Sequence, residues 1–170
     1  MGLVTVYRPV ADEPAEAPSA LAPRAGLDGA RLVLIDNGKP NARELLELLA
    51  AHLPVASVEV VTKAAAGHPL EDDEAAAIAP RADLAITGLG DCGACSACSL
   101  RDAVAFERLG VPATVVITDA FVGHVARFSD ALGLPGYPAL VVPHPVSSKD
   151  HAHLARLAEG LADAAVAQLT

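Results

Sequence analysis

Tryptophan is absent, and aromatic side chains make up only 3% of the 170 residues, although 52% are hydrophobic. A core without large rings has to be assembled from Ala, Val, Leu and Ile, the composition of a sheet covered by helices. Basic residues are scarce as well: 12 Lys and Arg stand against 21 Asp and Glu, a net charge of −9. That deficit argues against a nucleic-acid surface, where affinity comes from phosphate neutralisation by Lys and Arg. It leaves room for an anionic small molecule in a local cationic pocket. No apolar run approaches the ~20 residues that cross a bilayer. The start, MGLVTVYRPVADEP, lacks the long apolar stretch of a secretory signal. Cysteine is limited to three residues, too few to pair fully within the chain. A reducing cytoplasm is therefore the expected compartment, with no membrane partner. The length fits one domain with a full core and no need of disulfide staples.

What is present is a regular alternation. Residues 8–30 are rich in Pro and Ala and read as an extended arm, so that 1–30 precede a single domain at 31–170. Either a mobile tail or a segment docked on the domain or on a partner subunit fits this composition. RLVLID (31–36), SVEVVT (57–62), DLAITGL (83–89), PATVVIT (112–118) and PALVVP (138–143) read as strands. Between and after them, residues 41–53, 71–79, 96–110, 119–133 and 147–169 read as helices, with Ser147 or Ser148 as the N-cap of the last. The acidic run at 71–73 suits a helix start. This pattern implies an α/β fold: a three-layer αβα sandwich around a roughly five-stranded parallel sheet, flavodoxin-like or Rossmann-like, with order 2-1-3-4-5 expected. In such sheets ligands bind beyond the C-terminal ends of the strands. The segments leaving those ends are 36–41, 87–95, 118–121 and 143–148.

All three cysteines fall in one of these segments, GDCGACSACSL (90–100). Cys92 should sit at or just before a helix start, where backbone N–H groups and the helix dipole favour a thiolate. Cys92 and Cys95 have the C-x-x-C spacing of dithiol sites, in which the leading thiol attacks and the trailing one resolves. Cys95 and Cys98 share a helical face. A small buried hydrophobe is the alternative for each, and for Cys98 the two readings are evenly matched. C-x-x-C-x-x-C can also hold three ligands of an iron–sulfur cluster or, with His124 or His144, a zinc ion. The missing fourth cysteine counts against this, so no metal and no cofactor is expected beyond a redox partner thiol.

The stretch 90–121, together with IDNGKPNA (35–42) and VVPHP (141–145), resembles the UGSC family of (seleno)proteins. The family is named for a selenocysteine–Gly–Ser–Cys motif between a short strand and a helix. The resemblance implies chalcogen chemistry at Cys92, with cysteine in the selenocysteine position. Ala94 replaces the family's serine, although Ser96 is near. The resemblance implies kinship in chemistry with selenoprotein subunits of reductases acting on small amino-acid derivatives. It names no substrate. A position that accepts selenium or sulfur is expected to work as an anion that attacks or is oxidised.

Companion residues follow from the same strand ends. Lys39 can neutralise a substrate carboxylate, and Asn37 and Asn41 can offer amides, although with Gly38 and Pro40 they also make an ordinary turn and helix start. Thr87, Gly88, Gly93 and Thr118 can place donors around a ligand. Asp91 reads as a proton acceptor or a helix cap, with the cap favoured, and Asp119 as a cap. His144, between two prolines, can move protons at neutral pH. His52, His68, His151 and His153 are expected in solvent away from the site. The leading expectation is a cysteine-dependent enzyme cleaving a bond in a small anionic metabolite, or exchanging thiol and disulfide. A racemase- or lyase-like use of cysteine without net redox is weaker, because such enzymes draw two thiols from opposite halves. A thiol, sulfur or metal carrier, or an accessory subunit of a larger reductase, is the non-enzymatic alternative. A homodimer or partner subunit could complete the pocket.

Overall fold

A computed structural model describes residues 21–24 and 26–170. Five strands, β1 (Arg31–Asp36), β2 (Ser57–Thr62), β3 (Leu84–Gly90), β4 (Ala113–Thr118) and β5 (Ala139–Val142), form one sheet in the order β2-β1-β3-β4-β5. Every pairing is parallel. The helices are α1 (Ala42–Ala50), α2 (Asp72–Ile78), α3 (Gly93–Arg108), α4 (Val122–Ala131) and α5 (His151–Leu169). The expected architecture and strand order are therefore present.

The aliphatic composition explains the packing. Successive strand residues point to opposite faces, so a central strand buried on both sides must be apolar throughout. Leu32 and Leu34 of β1 join α1 and α5 in one core, while Val33 and Ile35 join Leu70, Leu100 and Phe106 in the other. Small side chains let the helices lie close to the sheet. At Gly90, an added Cβ would stand 2.8 Å from both Ile117 Cγ2 and Ser96 Oγ.

Element ends differ from the periodicity in informative places. The third helix begins at Gly93, not at 96, because Cys92 is its N-cap. The fourth begins at Val122, after a single 3-10 turn at Asp119–Phe121. The last begins at His151, and its N-cap is Asp150, which accepts the His153 N–H at 2.8 Å, rather than Ser147 or Ser148. Most of the arm lies outside the described residues. Its end is docked: Ala22 and Leu27 are buried, the Ala22 N–H donates to Glu107 Oε2 at 2.6 Å, and Arg24 pairs with Glu107 at 2.8 Å. None of the helices among the described residues is long and apolar enough to cross a membrane.

Candidate functional site

The chain steps from β1 outward to β2 and then returns to place β3 on the other side of β1. Crevices form where strand order reverses in this way. The C-terminal ends of β1 and β3 meet there, with the Asn37 N–H donating to the Gly88 carbonyl at 2.9 Å. The cysteine turn leaves the end of β3 directly.

Cys92 adopts an extended backbone as N-cap of α3, and its Sγ accepts the Cys95 N–H at 3.2 Å. Sulfur occupies the place of a capping Ser or Asp oxygen, facing one of the free N–H groups of the first turn. Cys92 and Cys95 are paired as a disulfide, with Cα atoms 5.4 Å apart. When reduced, the buried Cys95 thiol can donate to the Cys92 carbonyl at 3.2 Å. The same carbonyl accepts the Ser96 N–H at 2.9 Å and the Ser96 hydroxyl at 2.7 Å, so Ser96 braces the turn. Cys92 itself is half-buried, and Cys98 is free and half-buried.

Asp91 is not the helix cap. Its carboxylate reaches across the sheet end and accepts the N–H groups of Val146 (3.3 Å) and Ser147 (3.0 Å), and lies 2.9 Å from His144 Nδ1. Burial works against its ionisation. The Ser147 N–H and hydroxyl, the Val146 N–H and the adjacent His144 outweigh it and hold the carboxyl below its ordinary value. His144 is fixed further by the Thr118 hydroxyl (3.1 Å from Nδ1), by an edge-on contact with Phe121, and by its own N–H donating to Asp119 at 3.1 Å. Asp119 thus anchors the imidazole's backbone. His144 remains exposed enough to meet a ligand (side chain 39% accessible).

Because the folded pKa of Asp91 is depressed, its tether contributes stability above the ordinary carboxyl range and loses it as pH falls through the lowered value. The amides of Val146 and Ser147 should accordingly keep constant hydrogen-exchange protection from neutral pH down to about pH 4. Protection should fall only below that range.

The remaining predicted residues surround the turn, several with their polar atoms already engaged within the chain. The Asn37 amide donates to the Leu89 carbonyl (2.9 Å) and to Ser99 Oγ (3.2 Å), and its Oδ1 accepts the Lys39 N–H. The Asn41 amide donates to the Val146 and Lys149 carbonyls at 2.9 and 2.8 Å, tying α1 to the loop that carries His144. Thr87 Oγ1 donates to the Ser99 carbonyl, and Thr118 Oγ1 to the Gly90 carbonyl. Gly38 takes a left-handed φ of 72° that lets its N–H reach Asp36. Gly88 is packed against Leu46 and Val116, whereas Gly93 faces open space. The Lys39 ammonium has no ion-pair partner among the described residues.

Two residues absent from the sequence-based set adjoin the site. Lys63, directly after β2, forms a buried ion pair with Asp102 of α3, whose carboxylate also accepts the Leu70 N–H at 2.7 Å. Burial pushes the Asp102 carboxyl up, against the pull of Lys63, Leu70 and Arg101. Lys63 borders a cavity of about 550 Å³ lined also by Thr62, His68, Leu70, Glu71 and Arg81. The strand-end rule that selected the other loops also selects residues 62–65. Among the described residues, no group of three or more His, Cys, Asp or Glu side chains is arranged to hold a metal ion.

A sequence model of the UGSC family matches residues 5–170, which includes most of the arm. No curated protein matches the chain. Solved structures with similarity include the flavodoxin-like domain of a Synechococcus sp. protein, at 14% identity over 81% of this chain and 99% of that one, TM-score 0.39. A diflavin flavoprotein A3 from Nostoc sp. shares 16% identity over 82% of this chain and 94% of its own, TM-score 0.41. The flavodoxin of Streptococcus pneumoniae TIGR4 shares 21% over 79% and 98%, TM-score 0.40.

Proposed function

Because the chain belongs to the UGSC family, we propose that it is a thiol-dependent enzyme, an oxidoreductase or lyase, whose nucleophile is Cys92 and whose substrate is a small anionic metabolite. The observation that carries this reading is the Cys92 sulfur accepting a backbone N–H at the N-cap of a 16-residue helix, in a residue that is only half-buried. A sulfur so placed is favoured as an anion, and the anion is the attacking form.

The Cys92 thiolate attacks an electrophilic atom of the substrate, forms a covalent bond to it and expels the leaving group. His144, oriented by Asp91 and Thr118, supplies a proton to that group. In the redox form the bound fragment is joined to Cys92 through a heteroatom. Cys95 then attacks the Cys92 sulfur, the fragment departs with the electron pair, and the dithiol becomes the Cys92–Cys95 disulfide. An external thiol partner restores the dithiol, which suits a reducing compartment such as the cytoplasm. Lys39, with the amides around Gly93 at the start of α3, holds the anionic group of the substrate. Gly38 and Asn41, which reach the surface, border the substrate, while the buried Asn37, Thr87 and Thr118 hold the loops around it in place. A second subunit, either another copy or part of a larger reductase, closes the pocket.

The test is Cys95→Ser. With a disulfide reagent as a surrogate substrate, this variant should accumulate a stable mixed disulfide on Cys92, visible as a one-to-one mass increase. The parent protein should release the reagent's thiol and end as the internal disulfide. Equal accumulation in both proteins would remove Cys95 from the mechanism. A carrier would bind one equivalent and never turn over.

A further inference from the structure

The arm meets the domain at one end of an apolar groove. Leu21 lines a hollow of about 280 Å³ with Leu134, Pro135 and Pro138. A second hollow, of about 260 Å³, is lined by Ile117, Val122, Val125 and Val141. Gly136 and Tyr137 line both, so the two form one groove beside β5. β5 is an edge strand, paired with β4 alone among the described residues. Its side chains alternate between the two faces of the sheet. Leu140 and Val142 are buried in the core that contains α5, a helix of 19 residues. The opposite layer has α4, of only 10 residues, and there Val141 stays 43% exposed and Val122 44%. Large apolar side chains gathered along an open groove mark a surface that another segment covers.

Residues 1–20 lie outside the described residues and join them at Leu21, in the groove itself. Within them, LVTVY (3–7) carries Leu3, Val4, Val6 and Tyr7 and no charge. Residues 11–20 contain only Ala, Asp, Glu, Pro and Ser, with no large apolar side chain to fill such a groove. The tether is long enough: Tyr7 stands 14 residues before Leu21, a reach of up to ~46 Å for an extended chain. From Pro138 to Val141 the groove follows three strand residues, about 10 Å. The base of the arm is already held, by the Ala22 N–H and Arg24 on Glu107. A segment on a short tether has an effective concentration on the order of millimolar, which favours the same chain over a second copy in dilute solution. The UGSC family model also takes in the arm from residue 5, well ahead of β1.

We propose that residues 3–7 of the same chain dock in this groove and cover Val122 and Val141. Val122 follows Phe121, which packs edge-on against His144. The docked arm therefore borders the candidate site on the β5 side. Docking does not depend on the chemistry of Cys92.

Tyrosine reactivity provides the test. The chain has two tyrosines. Tyr137 is buried, with its hydroxyl donating to the Ala113 carbonyl at 2.6 Å, so Tyr7 is the reporter. The full-length protein is acetylated with N-acetylimidazole, and mass spectrometry of the N-terminal peptide gives the rate at Tyr7. The synthetic peptide MGLVTVYRPV gives the rate of the same residue uncovered. Tyr7 in the parent protein should react at least about 5-fold more slowly than in the peptide. Val141→Asp and Val122→Asp, changed at side chains that already meet water, should each return Tyr7 to near the peptide rate without moving the urea midpoint. Val58→Asp, equally exposed on β2 at the other edge of the sheet, should leave Tyr7 protected. Equal rates in parent and peptide overturn the docking, and that comparison needs no variant. Protection that survives both groove variants, or that Val58→Asp removes as well, overturns the groove as its seat. Protection that fades on dilution overturns docking within one chain and assigns the segment to a second copy.

Discussion

Glu107→Ala should cost about 3–5 kcal/mol of folding stability, the penalty typical of removing one partner from a buried ion pair. Glu107 lies at the foot of α3 with its side chain fully buried. One oxygen accepts the Ala22 N–H at 2.6 Å. The other accepts Arg24 at 2.8 Å and the Ala113 N–H at 2.9 Å, and lies 3.4 Å from the Tyr137 hydroxyl, which donates to the Ala113 carbonyl at 2.6 Å. Burial first, and then the Glu107 charge, push the Tyr137 phenol well above its ordinary pKa, so it stays a donor. Alanine would leave a guanidinium and two backbone N–H groups facing apolar surroundings. The Gln variant separates the parts. Its amide oxygen can replace one carboxylate oxygen, but its NH₂ cannot accept from Ala22. The loss should be smaller, about 1–3 kcal/mol, with the arm released so that trypsin cuts after Arg24. Urea unfolding and limited proteolysis measure both. A loss under about 1 kcal/mol for alanine would mean the network contributes no more than an exposed pair does.

Lys63→Met should be comparably damaging, about 3–5 kcal/mol, because it strands the Asp102 carboxylate where almost no solvent reaches it. Asp102→Leu should cost a similar amount by stranding the ammonium. The double variant should recover most of the combined loss, since two apolar groups of similar shape can replace a buried pair. It should stay about 1–3 kcal/mol below the parent protein, the cost of leaving the Leu70 N–H without its acceptor. Strict additivity in urea unfolding would mean that the two residues do not act as a pair. Because Lys63 follows β2 and Asp102 sits one turn after Cys98, the same variants should also shift the reactivity of Cys98.

These two predictions concern residues whose roles the sequence hides. Lys63 reads as one more polar residue in a loop, and Asp102 and Glu107 as charges on the wet face of a helix. Only tertiary packing reveals that Lys63 and Asp102, 39 positions apart, share a dry contact. The same holds for Glu107 and Ala22, 85 positions apart. The parallel sheet between two helix layers was legible because alternation and right-handed crossovers leave few topologies open; the order β2-β1-β3-β4-β5 was one of those few, and no local feature of the sequence says on which side of β1 the third strand pairs. The cysteine turn was legible for a local reason: Gly90, Gly93 and the preceding apolar run fix where a strand must end. The helix starts were less so. Cap choice depends on which side chain the backbone brings to the free N–H groups, and sulfur at Cys92 and carboxylate at Asp150 were selected over Asp91 and Ser147. Asp91 and His144 were each visible as candidates. Their meeting, across 53 residues of chain, depends on β3 and β5 ending at the same level of the sheet.

The claim on which the account turns is that the Cys92 sulfur is an activated anion. The direct measurement is the rate of alkylation of each cysteine in the fully reduced protein as a function of pH, with the label located by mass spectrometry. Cys92 should react first, with a midpoint below the ~8.5 of an unperturbed thiol, and Cys98, raised by burial, should titrate above it. Three slow reactions sharing an ordinary or raised midpoint would contradict it.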